Sequence, residues 1–139
     1  MLDWKPPYDP ARAARLRDLL HDCVASAASD QDARLIEASW LLAAVSDQAR
    51  LRAMIACGAY ESAAALVIGE GRPYLVSRGA NGVCLASAPF ADGCEDATAQ
   101  AATPALAMLS AHAAALLAQE SRAPAPLWRC LPPLNARLH

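Results

Sequence analysis

Apolar side chains recur at helical spacing through the first half of the chain and switch to short β-type runs in its middle. Leu16, Leu19, Leu20, Cys23 and Val24 follow the i, i+3, i+4, i+7, i+8 stripe of an amphipathic helix. Asp9-Pro10 opens it, with an acceptor at the N-cap and proline at the first helical position. Ser29 or Asp30 opens a second helix carrying Leu35, Ile36, Trp40, Leu42 and Ala43. Ser46 or Asp47 restarts a helix through Leu51, Met54 and Ile55, and Cys57-Gly58 closes it, because glycine accepts the left-handed conformation that satisfies terminal carbonyls. Tyr60 to Val67 reads as a further short helix, ended by Gly69-Glu70-Gly71.

The period then changes. Tyr74–Arg78 and Val83–Ser87 carry enough β-formers to be strands, and Asn81-Gly82 suits a tight hairpin turn that needs positive φ. Pro89 ends the second strand, and Asp92 to Thr98 reads as a polar loop. Thr103-Pro104 repeats the cap-then-proline start, and Leu106, Leu109, Ala113, Leu116 and Leu117 form the apolar stripe of the last long helix. The expectation is an α+β domain: a small antiparallel β-hairpin sheet covered by α-helices, sandwich-like, with a helical N-terminal half. It occupies residues 10–119, between an extended lead (1–9) and a proline-rich tail (120–139).

Composition adjusts this picture in three ways. The chain has 139 residues and is 55% hydrophobic, but much of that is alanine and only one residue is phenylalanine. The core therefore rests on Leu, Val, Ile and Met, with alanine allowing close helix packing. Lys5 is the only lysine, and the net charge of −2 steers weakly toward either sign of partner. The five cysteines (Cys23, Cys57, Cys84, Cys94, Cys130) are odd in number and form no CxxC pair. With no secretory signal pattern and no uninterrupted apolar run of about 20 residues, they read as reduced thiols of a cytosolic protein.

Three blocks carry a family resemblance: Ser29–Leu42 (SDQDARLIEASWLL), Tyr60–Tyr74 (YESAAALVIGEGRPY) and Ala102–Leu117 (ATPALAMLSAHAAALL). In this order the chain resembles the phage and prophage proteins with an ABA-sandwich domain, over roughly residues 28–118. Ala63, Ile68 and Arg72 stand where that family often has aspartate, proline and tryptophan. The resemblance implies a fold and a mobile-element origin in a bacterial host cytosol. It implies no catalytic residues.

The candidate chemistry is sparse. Adjacent residues His21, Asp22 and Cys23 project about 100° apart around a helix and cannot converge on one metal ion. Asp92-Gly93-Cys94-Glu95-Asp96 lacks the alternating ligands of a calcium loop. Cys84 and His112 form the one nucleophile–base pair that the last helix, packed on the hairpin, could bring together. The helix–hairpin–helix order resembles double-stranded-RNA-binding domains, but the last helix carries no lysine or arginine before Arg122. Arg12 and Arg15, with Arg50 and Arg52 farther on, are the candidate cations for nucleic acid.

Aromatic and arginine anchors flanked by proline suit protein interfaces instead. We therefore take Trp4, Tyr8, Arg12, Arg15, Trp128 and Arg129 as candidate partner-binding residues, with no catalytic residue, metal or cofactor expected. A two-strand sheet also leaves edges that a homodimer could pair. The expected function is a non-enzymatic phage-derived accessory protein that binds and modulates a bacterial host protein, for instance inhibiting a defence system such as a CRISPR effector. Nucleic-acid binding through the helix-one arginines and a morphogenesis role are the alternatives.

Overall fold

The computed structural model describes residues 9–42, 48–69, 71–89 and 95–121. Helix α1 (Pro10–Ala25) starts where the cap pattern predicts: the Asp9 carboxylate accepts from the amides of Ala11 (3.0 Å) and Arg12 (3.2 Å). Its buried stripe is Ala13, Leu16, Leu19 and Cys23. Leu20 is half-buried and Val24 exposed, so the stripe is narrower than the sequence spacing suggests. A 3-10 turn (Ala28–Asp30) leads into α2 (Gln31–Leu42), and the Asp30 carboxylate accepts from the Ala27 amide at 3.0 Å.

Helix α2 buries Gln31, Leu35, Ala38 and Ser39. Trp40, expected in its apolar stripe, is instead 67% exposed. The cause is angular: five residues place Trp40 about 140° around the helix from Leu35. Helix α3 (Gln48–Ala56) buries Leu51 and ends at Gly58, whose φ of 79° lets the Ala59 amide reach back to the Met54 carbonyl at 2.8 Å. Helix α4 (Tyr60–Ile68) follows directly and buries Ala63, Ala64, Val67 and Ile68.

The sheet has three antiparallel strands in sequence order: β1 (Leu75–Arg78), β2 (Cys84–Pro89) and β3 (Asp96–Ala101). The last pair of the first hairpin is Arg78 with Cys84, so the connection is five residues long and wider than a two-residue turn. It is closed by Gly79 donating to the Val83 carbonyl at 2.8 Å. Within it the Asn81 side chain accepts from Val83 N–H at 3.1 Å, and Gly82 takes a φ of 84°.

Strand β3 corrects the sequence reading, which assigns Asp92–Thr98 to a loop. Asp and Ala are poor strand formers. Yet Asp96–Ala101 alternates polar and alanine without a break and pairs with β2 over six positions, from Cys84–Ala101 to Pro89–Asp96. The alternation turns Ala97, Ala99 and Ala101 toward the helices, in line with Cys84, Ala86 and Ala88 of β2.

Those small side chains form a bed for α5 (Pro104–Ser121). Thr103 caps it, its hydroxyl accepting from the Leu106 amide at 3.2 Å, as the Thr-Pro pattern predicts. From Ala105 to Ala113 every residue of α5 is buried, because the sheet covers one side and α1, α2 and α4 cover the other. Leu116 and Leu117, expected in the stripe, are only half-buried. Among the described residues the layers are therefore sheet, α5, then α1, α2 and α4. Helix α1 runs antiparallel to α5: Arg12 donates to the Glu120 carboxylate at one end, and Cys23 meets Ser110 near the other.

The two caps give a direct test. Asp9→Ala and Thr103→Ala should each lower the unfolding free energy by about 1 kcal/mol in urea titrations. A loss no larger than that of an exposed surface substitution would show that these oxygens do not hold the helix starts.

Candidate functional site

Of the six partner-binding candidates, Trp4, Tyr8, Trp128 and Arg129 lie outside the described residues. Arg12 and Arg15 both lie on α1 but in different states. Arg12 is tied to Glu120, whereas Arg15 is exposed. Asp18 and Asp22 are exposed on the same helix, so α1 presents mixed charge and no continuous basic surface.

The candidate pair Cys84 and His112 is not brought together. Cys84 sits opposite Ala101, three residues before α5 begins, and α5 then runs back along the sheet. His112 lies beside Ala86, Ala88 and Pro89, near the other end of β2. Cys84 and Ala88 are separated by about 13 Å along the strand. Cys23 is buried too, and burial pushes its thiol up to about 12, which leaves it protonated and unreactive. Cys23, Cys57 and Cys84 are free thiols, and no cluster among the described residues could hold a metal ion. No helix of the described residues is long and apolar enough to cross a membrane.

Two features remain, on opposite sides of the sheet. The first is the sheet face turned away from α5. Register places Leu75, Ser87 and Thr98 in one row and Ser77, Leu85 and Gln100 in the next. Leu75 is 75% and Leu85 39% exposed, and no described element packs over them. They are diagonal neighbours, about 7–8 Å apart across the strands. Among the described residues strand β1 is also an edge of the sheet.

The second feature is a cavity of about 450 Å³ between the C-terminal end of α4, the segment leading into β1, the second half of β2 and α5. Its walls are mainly apolar, from Ile68, Ala86, Ala88 and Met108. Arg72, Tyr74 and His112 supply polar groups. His112 is only 6% exposed and borders the cavity. Burial, reinforced by the positive charge of Arg72, lowers its pKa to about 4, so the imidazole is neutral at pH 7. A shallower hollow of about 370 Å³ adjoins on the far side of Arg72 and Tyr74.

Sequence reasoning missed both features. A leucine at alternating positions on the otherwise polar face (Leu75, Leu85) is the signal for the first. The second had no sequence signal, since Arg72 and His112 are forty residues apart and meet only through the packing of α5.

Among the described residues, fold and site together define an α+β domain with a bare sheet face and an apolar cavity. Comparison with family models, curated proteins and solved structures finds no match. The phage-family reading therefore continues to rest on the three sequence blocks alone.

Proposed function

We propose that the chain is a non-enzymatic, phage- or prophage-derived binding protein that attaches to a bacterial host protein and modulates it. The supporting observation is the sheet face bearing Leu75 and Leu85, which the described helices leave bare. Large aliphatic side chains exposed beside each other within a polar surround suit the centre of a protein interface. In this reading the proline-flanked Trp4, Tyr8, Trp128 and Arg129 extend the contact. The finer reading is inhibition of a defence nuclease such as a CRISPR effector.

The test is a pull-down from host lysate with three tagged forms: wild type, Leu75→Asp/Leu85→Asp and Arg15→Glu. The expected result is a host protein retained by wild type and by the α1 variant, and reduced roughly tenfold or more by the double substitution. Equal retention by all three forms would remove the sheet face as the interface, and no retained protein would end the proposal. If the leucine pair instead joins two copies, sedimentation will show a dimer that the double substitution converts to monomer.

The nucleic-acid alternative draws no support from α1, where Arg12 is occupied by Glu120. It requires affinity that falls steeply with salt.

A further inference from the structure

The cavity behind the sheet is bordered by polar side chains as well as apolar walls. His112 is buried to more than nine-tenths and lines the cavity. Its ring can therefore offer a hydrogen bond to an occupant of that volume. Arg72 stands at the same cavity, exposed, and forms no ion pair among the described residues. It lies close enough for its charge to act on the His112 ring.

These groups define the chemistry of an occupant. A guanidinium offers a planar fork of N–H donors matched to a carboxylate. A neutral imidazole offers one further N–H to the same oxygen pair. Among the described residues that line the cavity Arg72 is the one cation, so a singly charged anion is balanced there, whereas a phosphate dianion would leave charge uncompensated against apolar walls. Ile68, Met108, Ala86 and Ala88 then require an apolar body. The volume of about 450 Å³ lies in the lower part of the range for small-molecule sites, about 300–1,000 Å³.

We propose that this cavity binds a small monocarboxylic acid with a branched-aliphatic or aromatic body, its carboxylate held by Arg72 and His112. The site lies on the α5 side of the sheet, opposite Leu75 and Leu85, and so stands independently of the protein-binding reading. Tyr74 borders the opening, where its ring can close over the ligand body.

The test uses the full chain and defined probes. Phenylacetate and isovalerate, each paired with its neutral amide, are titrated while binding is followed by calorimetry and by the His112 ring resonances in NMR. The expected result is saturable binding of at least one acid at millimolar concentration or below, with the amide weaker by about tenfold or more. The His112 signals should shift on the same curve. Arg72→Gln, at an exposed position that spares the core, should weaken the acid by a similar factor. Ala88→Leu, which narrows the cavity from the sheet side, should abolish binding while leaving the circular dichroism spectrum unchanged. Acid and amide binding equally, Arg72→Gln binding like wild type, or His112 signals unmoved at saturation would each overturn the proposal. So would failure of both acids to bind.

Discussion

Leu109→Ala is expected to lower the unfolding free energy by about 2–5 kcal/mol, a large fraction of the roughly 5–15 kcal/mol that holds a domain together. Leu109 is fully buried in the stretch of α5 that is enclosed on every side. Removing its side chain forfeits the transfer free energy of the lost methyl groups and leaves a void. The core cluster it belongs to is rich in alanine, whose short side chains do little to fill such a void. The converse change, Ala107→Leu, adds volume at a fully buried position of α5 and should cost about 1–3 kcal/mol. Leu75→Ala is the control: that residue lies on the bare face and should change stability by no more than about 0.5 kcal/mol. Urea titrations of the three variants check this. A Leu109→Ala loss no greater than that of Leu75→Ala would mean that α5 is not enclosed between the sheet and the other helices.

The second large effect is a dependence of stability on pH that traces to one residue. Burial first, and then the charge of Arg72, lower the His112 pKa from an ordinary 6.5 to about 4. Between those values the unfolded chain takes up a proton that the folded chain does not, so acid favours unfolding. His112 thus contributes stability that is fully present above pH 6.5 and is lost progressively as pH falls toward 4. The total is on the order of 3 kcal/mol. Solvent reaching the ring through the cavity mouth makes that figure a ceiling. His112→Leu keeps an apolar packing volume and removes the titration, so the difference between wild type and variant should change with pH across this window and be flat above it. Parallel curves for the two proteins from pH 7 to 4.5 would rule out a buried neutral histidine. Arg72→Gln should make the acid loss smaller and complete at a higher pH, because without the repelling charge the folded pKa lies closer to the unfolded one.

Much of this architecture was legible before any coordinates. Asp9-Pro10 and Thr103-Pro104 marked their helices because capping is local chemistry: one side-chain oxygen and two or three neighbouring amides decide it. The first hairpin was legible from its β-formers, although its connection proved wider than Asn81-Gly82 alone suggested. Strand β3 was obscured because Asp-Ala-Thr-Ala-Gln-Ala has helix-forming and loop-forming residues where a strand was needed. Its two-residue alternation was in plain view and was outweighed by propensity. Trp40 and Val24 were assigned inward on hydrophobicity, but their angles around α2 and α1 turn them to solvent.

Local signals, set by side chains a few residues apart, determined where helices begin and end, which segment forms the hairpin, and that the class is α+β. Only the packing of α5 between sheet and helices decided that β3 is a strand, that His112 and Arg72 share a cavity, that Cys84 and His112 stand apart, and that Leu75 and Leu85 are left bare. Such juxtapositions join residues distant along the chain. They arise when alanine faces allow helix and sheet to approach, and no local spacing records them.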